Sequence, residues 1–408
     1  MRATANDNGV RSADVVVLGG GLSGQLAVIA LAERAPHLSV ALIERAEHLG
    51  GNHAWCCHGA DLAHPAEDGA MVLSWFLPLV SHCWPSHRVS FPTHERILES
   101  DYLCLRSRDL ASMTEQALDR PGTSLLTNRE VTMVERNHVE LSSGEVVSGR
   151  LVLDARGEEP AAYAGRTAFQ KFVGWEIELE ASSAAIPQMP TLMDAKVPQP
   201  DGFRFVYVLP FSPRRALIED TYFSSTPGLD REAVRGRLVE YLHGLGVIQY
   251  RILREESGVL PMPWGTSRRQ PGEVVAIGYR GGFFHPGTGY SLARSVIVAH
   301  RIARLAGEAG NADLSSLIAN GLAELGAFWE DDNRFARRLN YLAFRLLPGR
   351  WLRDLVFSAV YRLPHPTLAR YYAGRTSTGD RLALVGAPLR FSKADVDRRH
   401  RSVLGACS

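Results

Sequence analysis

Asp14-Val15-Val16-Val17-Leu18-Gly19-Gly20-Gly21-Leu22-Ser23-Gly24 is the stretch that decides how this chain is read. Val15 to Leu18 is a short apolar run suited to a buried parallel strand. Gly19, Gly21 and Gly24 follow at the GxGxxG spacing, and an apolar helical segment runs from Leu26 to Leu31. Gly19 permits a tight turn, Gly21 lets the backbone approach a pyrophosphate, and Gly24 lets helix and strand pack closely. The helix N-terminus that opens there offers free N–H groups and a positive dipole end. Ser39 to Ile43 is the next apolar strand. It ends in Glu44, twenty residues beyond Gly24, where a carboxylate can hold ribose hydroxyls. A dinucleotide site is expected.

The 408 residues are 45% hydrophobic, enough for a full core shared by two connected domains. A formal net charge of +1 gives no global reason to expect nucleic acid. The five cysteines, Cys56, Cys57, Cys83, Cys104 and Cys407, contain no CxxC pair. Free thiols in a reducing compartment are therefore expected. Residues 1–13 are polar and lack an apolar core for export, so the expected location is the cytoplasm. No run approaches about eighteen uninterrupted apolar residues, which argues against a spanning helix but leaves surface attachment to a membrane open.

Outward from the first unit, Gly50-Gly51-Asn52-His53-Ala54-Trp55-Cys56-Cys57-His58 makes a loop unusually rich in glycine, histidine and cysteine. Its spacing matches no common structural zinc pattern and no second cluster completes a ligand set, so no metal is expected. Residues 71–84 are apolar and aromatic, and read as core or as the wall of a pocket. Residues 94–120 read as a polar-faced helix. Strand-like pieces at 131–135, 138–141 and 145–148 suggest a small antiparallel meander. Leu151 to Gly157 then reads as a third buried parallel strand with a sharp turn, which would bring Asp154 near the cofactor.

The middle of the chain changes character. Phe172 to Glu180 alternates as a half-exposed strand should. Phe203–Leu209 and Arg215–Glu219 are two further strands, with a turn at 210–213 between them. The second ends in Glu219-Asp220-Thr221-Tyr222. Adjacent carboxylates on a strand point to opposite faces, so at most one of Glu219 and Asp220 can enter a chamber above the cofactor. A helix is expected over 230–244, then a proline-broken loop over 258–265.

Val274 to Ile277 begins a second constellation: a buried strand, a loop with Gly278, Gly281, Gly282, His285, Gly287, Thr288 and Gly289, and a long helix opened by Tyr290. Such a loop makes an anion or ring-carbonyl site from backbone N–H groups. Two glycine loops about 250 residues apart read as a flavin fold, the first for the pyrophosphate and the second for the ribityl and isoalloxazine region. The expected class is mixed α/β. A Rossmann-type FAD-binding domain is drawn from 13–160 and 257–310, with the meander inserted. A β-sheet substrate domain occupies 161–256, and a helical region 311–390. From Phe328 the chain reads as helical, and between Asn333 and Arg375 many arginines interleave with aromatics while Asp354 is the single acid. That surface suits interfacial membrane contact, and a packed helical domain with a solvated basic face is the competing reading. No nucleic-acid module is recognisable.

Taken together, these landmarks resemble the bacterial lycopene beta-cyclase family. They include the glycine turn, the Gly50 to His58 loop, Pro190 to Asp194, Phe203 to Pro210 and Ile218 to Tyr222. Gly258 to Gly265, Gly278 to Leu292, Tyr361 to Pro364 and Arg370 to Gly374 complete them. Two departures are Cys56-Cys57, where serine and phenylalanine are expected, and Gly287, where threonine is usual. The resemblance implies an isomerase that turns the psi end groups of lycopene into beta rings, giving gamma-carotene and then beta-carotene. It implies reduced FAD, with NAD(P)H as indirect reductant, and peripheral contact with the cytoplasmic membrane near other carotenoid enzymes. Glu219 is implied as acid or base, with Asp220 as a second candidate. Trp55, Tyr290 and Trp264 are candidates to stabilise a passing cation, and His58 and His285 to orient the carboxylate or flavin. Expected cofactor contacts are Gly19, Gly21, Leu22, Gly24, Glu44, Arg45, Gly51, Asp154, Gly282, Gly287, Thr288, Gly289 and Tyr290. The alternatives are an FAD-dependent hydroxylase or dehydrogenase of a hydrophobic substrate, and a non-catalytic flavin-binding membrane protein.

Overall fold

Val15 to Leu18 lie fully buried in the first strand, β1 (Val10–Leu18), where helices and a meander leave neither face to water. The structure is a computed structural model that describes residues 10–157, 160–163, 165–180, 186–200, 202–266, 274–346 and 350–390. After β1 come α1 (Leu22–Arg34), β2 (Val40–Ile43), β3 (Ala54–His58), α2 (Gly69–Phe76), β4 (His82–Phe91), β5 (His94–Arg106) and α3 (Ser107–Leu118). Then follow β6 (Ser124–Leu126), β7 (Val131–Val134), β8 (His138–Leu141), β9 (Val146–Asp154), β10 (Thr167–Leu179), β11 (Thr191–Asp194), β12 (Arg204–Ser212) and β13 (Arg215–Ser224). The last elements are α4 (Arg231–Gly244), β14 (Tyr250–Pro263), β15 (Val275–Ala276), α5 (Leu292–Glu308), α6 (Leu314–Tyr341), α7 (Arg350–Val360), α8 (His365–Tyr372) and α9 (Thr378–Gly386).

The first sheet runs β6-β2-β1-β9-β8-β7, with β15 also on β9. β2 and β9 flank β1 in parallel, Val15 facing both Val40 and Leu151. The third parallel strand ending in Asp154 is thus present, and β7 to β9 form the meander. α1 and α5 pack together on one face, where Leu26, Leu31, Val296 and Ile302 are fully buried. Each such aliphatic side chain contributes about 1.5–3 kcal/mol.

The second sheet runs β14-β10-β13-β12-β11-β4-β5-β3. It corrects several expectations. Residues 94–106 are strand, not helix, and only Ser107–Leu118 is helical. β3, β4 and β5 belong to this second sheet, so the substrate sheet recruits residues 54–106 that were assigned to the cofactor domain. The 258–265 segment is not a loop: up to Pro263 it is β14, and its prolines are tolerated because β14 is an edge strand. β10 is buried along almost its whole length rather than half-exposed, because helix α4 packs on one face and a cavity wall forms on the other. Among the described residues no helix is long and apolar enough to cross a membrane.

Candidate active site

Gly19 turns with φ +96°, a conformation L side chains rarely adopt. A Cβ on Gly24 would collide with the Gly19 carbonyl, whereas one on Gly21 would meet open space. The first glycine fixes the turn, the third lets α1 sit on β1, and the second leaves the backbone open to an approaching group. No side chain caps the N-terminus of α1, so its first N–H groups stay available. Glu44 lies against this turn, where Oε2 accepts from Gly20 N–H at 2.7 Å and Oε1 from Ala46 N–H at 2.8 Å. Arg45 beside it is exposed and Leu22 is buried. The second loop comes to the same place: Ser23 and Ser295 hydroxyls stand 2.8 Å apart, joining the first turns of α1 and α5. A Cβ on Gly278 would strike Ser23. Gly51 and Gly282 both take positive φ, and Gly282 has no neighbour where a Cβ would stand. Asp154 is there too, but its carboxylate is taken by Arg156 at 2.9 Å and Arg280 at 2.6 Å.

Beyond the second loop lies a cavity of about 1900 Å³, counted out to its mouth. The second sheet forms one wall, residues 287–292 another, and the C-terminal helices close it with Phe357, Tyr371 and Tyr372. Gly287, Thr288, Gly289, Tyr290 and Trp55 all line it. Gly287 has a reason of its own: the Tyr371 hydroxyl fills the space a side chain there would need.

Glu219 faces this cavity from β13. Its Oε1 accepts a hydrogen bond from Thr221 Oγ1 at 2.6 Å. Burial, and then the charge of Glu256 together with a hydrogen bond to it, push the Glu219 carboxyl well above the usual carboxylate range. Glu256, from β14, lines the cavity and is itself buried. Its Oε2 accepts from Ala54 N–H at 3.0 Å and from Arg254 Nη1 at 2.8 Å. Arg254 in turn donates to Glu176 at 2.6 Å. Glu256 was missed in the sequence because Arg254-Glu255-Glu256 reads as a solvated charge run. Register alone reveals it, since Gly174 of β10 pairs with Glu219 on one side and with Glu256 on the other.

The structure does not bring every expected residue to the cavity. Asp220 points to the opposite face, where Arg204 Nη2 stands 2.6 Å and Arg237 Nε 3.2 Å from its Oδ2. Trp264 lines a separate surface groove with Arg334 and Tyr341. His58 is buried behind Tyr102 and Tyr372, at ring distances of 5.0 Å from each. Burial, reinforced by His87, holds its imidazole down at about 3, so it stays neutral. His285 is likewise driven down to about 3 by burial. Its Nδ1 accepts from Gly287 N–H at 3.2 Å, so it shapes the loop from behind. Among cavity-lining groups that the sequence did not single out, Tyr207 shares a 2.6 Å hydrogen bond with Tyr102, whose hydroxyl is 3.2 Å from that of Tyr290. His53 stands between Trp55 and Phe172. Among the described residues no cluster of three His, Cys, Asp or Glu side chains could hold a metal ion.

A family model described as "Lycopene cyclase protein" matches residues 14–396. The "Lycopene beta-cyclase" of Pantoea ananas is 34% identical over 91% of this chain and 94% of its own length. That of Pseudescherichia vulneris is 37% identical over 92% and 94%. Among solved structures, a probable FAD-dependent monooxygenase from Pseudomonas aeruginosa has a TM-score of 0.58 at 16% identity, covering 85% of this chain and all of that one. This last likeness shows a shared mixed α/β fold. The match of the family model along almost the whole chain, with relatives above 30% identity over more than nine-tenths of it, makes this chain a member of the lycopene cyclase family.

Proposed function

We propose that this chain is a lycopene beta-cyclase, converting the psi end groups of lycopene to beta-ionone rings by way of gamma-carotene to beta-carotene. The observation that carries this reading is Glu219, a carboxyl favoured in its protonated form on the wall of an aromatic and apolar cavity. The cavity belongs to a chain that matches relatives of that name over nine-tenths of its length. The reaction adds a proton at C2, leaves a tertiary cation at C1, closes the C1–C6 bond and loses the C6 proton. Nothing is oxidised or reduced overall. Glu219 delivers the first proton, and a carboxyl that burial and a neighbouring carboxyl push well above the usual carboxylate range is suited to that step. Trp55, Tyr207 and Tyr290 line the cavity and offer aromatic surface to the cation. The largely apolar wall denies the cation a competing water.

The cofactor implied by this fold is FAD, in its reduced form and with NAD(P)H as indirect reductant. The residues present fit it: Gly21 is open, α1 is uncapped, and the two glycine loops meet at Ser23 and Ser295. Gly19 to Gly21 would hold the pyrophosphate, Glu44 the ribose, and Gly282 to Tyr290 the ring end. When bound and reduced, the flavin supplies an electron-rich ring that stabilises positive charge beside it.

Lycopene is insoluble in water, so the reading includes peripheral attachment to the cytoplasmic face of the membrane, beside other carotenoid enzymes. Leu342 and Val385 support it, since both line the cavity and are exposed. Arg334, Arg338 and Arg381 stand beside them. Apolar side chains at a mouth ringed by arginine suit an interfacial contact.

The test is anaerobic turnover of lycopene in anionic liposomes, comparing reduced with oxidised FAD and wild type with Glu219→Gln. Beta-carotene is expected with reduced flavin alone, with protein co-sedimenting with the vesicles. In the variant turnover should fall by about 10²- to 10⁴-fold while flavin still binds. An oxygenated or desaturated product would replace this reading with a redox one. Protein left in the supernatant would remove the membrane part.

A further inference from the structure

Three strands meet at Gly174. On β10 it pairs in register with Glu219 of β13 on one side and with Glu256 of β14 on the other. Neighbouring strands lie about 4.8 Å apart, so residues two strands apart have backbones roughly 10 Å from each other. Their side chains can meet only by leaning over a middle strand that carries nothing in between. Gly174 provides that gap: a Cβ there would stand 3.1 Å from Glu256 Cγ and 3.2 Å from Glu219 Cβ. A β-strand interior otherwise disfavours glycine, which weakens the strand and leaves nothing to pack. Its presence at the centre of a buried strand has a physical reason once the two carboxyls are seen to need its space.

The two acids are not equivalent. Glu256 is anchored by Arg254 and by the Ala54 N–H, and Arg254 is itself held by the fully buried Glu176. Arg106 and Arg215 bind the far oxygen of Glu176 at 3.5 Å and 2.5 Å. Among the described residues no guanidinium pairs with Glu219. Its neighbours are Glu256, Thr221 and the thiol of Cys56. His53 faces Glu256 from the loop before β3, and burial holds its imidazole below the ordinary range. The pair is therefore asymmetric: burial and a neighbouring carboxyl favour the proton on Glu219, while Glu256 holds the guanidinium of Arg254.

We propose that Glu256 is the base that removes the C6 proton in ring closure and returns it to Glu219, with Gly174 as the positioning residue that lets the two carboxyls touch. This rests on the cyclase reading above. The balance is complete. The O–H bond of Glu219 and the C1=C2 π bond break as C2–H forms, and C1–C6 forms at the expense of the C5=C6 π bond, which moves the cation to C5. The C6–H bond then breaks to restore C5=C6, with its proton going to a Glu256 oxygen. That proton crosses the hydrogen bond to the Glu219 carboxylate, and both groups regain their starting states. No electron acceptor and no solvent proton are required, so the cycle can run in a cavity from which water is excluded.

The identity of the base also decides which proton leaves: loss from C6 gives a beta ring, loss from C4 an epsilon ring. A merely structural residue would change the rate and leave ring type alone. The experiment is the liposome assay with reduced FAD on Glu256→Gln, Glu256→Asp and Gly174→Ala, scoring kcat, KM, flavin affinity and ring type. Glu256→Gln is nearly isosteric and keeps an acceptor for Arg254 and Ala54. It is expected to lower kcat by about 10²- to 10⁴-fold at unchanged flavin affinity, with residual product carrying epsilon as well as beta rings. Glu256→Asp should recover part of the rate. Gly174→Ala keeps both acids but wedges a methyl between them. It should lower kcat about tenfold or more with KM nearly constant, and move the alkaline limb of the kcat profile to lower pH as Glu219 loses its neighbour's charge. Glu256→Gln turning over within about threefold of wild type with beta rings alone would overturn the proposal. So would a Gly174→Ala alkaline limb in its wild-type place. Loss of activity in Glu219→Gln with a normal Glu256→Gln would sink this inference and leave the acid role of Glu219 standing. Normal activity in both variants would remove that role as well.

Discussion

Glu219 and Asp220 are neighbours on one strand, equally acidic in sequence, and they meet opposite fates on the two faces of the second sheet. On the back face Asp220 is neutralised by cations: Arg204 and Arg237 converge on Oδ2, and Arg237 also lies over the Tyr222 ring at 4.9 Å. On the cavity face Glu219 meets another carboxyl, and protonation takes the place of a counter-ion. Burial of a carboxyl is costly in both places. The back face meets that cost with ion pairs, and the cavity face meets it with a proton. A buried acid is a candidate proton donor only where no guanidinium is within reach.

This contrast can be broken first at Asp220. Asp220→Ala leaves Arg204, itself 3% exposed, without its carboxylate. It should lower unfolding stability by about 3–5 kcal/mol, read by urea denaturation, while the protein that stays folded still cyclises. A loss of turnover without a loss of stability would put Asp220 back among the catalytic candidates. The next effect has the opposite sign. Because the folded Glu219 carboxyl titrates above its unfolded value, the native state holds a proton that the unfolded state releases, and stability falls as pH rises between the two. Glu219→Gln should therefore melt close to wild type at about pH 3, where both states are protonated, and above it at about pH 8. Equal melting at both values would mean that burial does not strain this carboxyl. The smallest effect belongs to Thr221, whose hydroxyl donates to Glu219 and favours its ionised form. Thr221→Val should shift the alkaline limb of turnover upward by up to about one pH unit, the equivalent of one lost hydrogen bond. A downward shift would contradict the hydrogen-bond direction.

The first glycine turn was legible because its geometry is backbone geometry. Gly19 and Gly24 are demanded by a positive φ and by a helix–strand contact, and both leave a mark in sequence. Glu219 was legible in part, since alternation says that one of two adjacent acids faces inward, though not which. Other features depend on partners that no local pattern carries. His94-Glu95-Arg96-Ile97-Leu98-Glu99 has helix-forming residues, yet pairing with β4 makes it strand, a case of tertiary contacts overriding propensity. Pro261 and Pro263 suggested a loop because an edge position cannot be known before the sheet order is. Glu256 and Gly174 are some eighty residues apart and have meaning only together. Trp264 and His58 looked like site residues by type, and burial direction alone separates them from the cavity.

The bond between Ser23 and Ser295 spans 272 positions of sequence, and it sets an order of events during synthesis. The first glycine turn leaves the ribosome early, but the loop and helix that complete its surroundings are made much later. β15 must also find β9, and β14 must find β10, before either sheet is finished. Contacts so distant in sequence form slowly, because their loop-closure entropy is paid before they stabilise anything. A nascent chain that ends before Tyr250 thus lacks both the second glycine loop and the strand that pairs with β10, which makes it prone to aggregate. If the site takes the FAD proposed above, a supply of it during synthesis can help only after α5 has emerged.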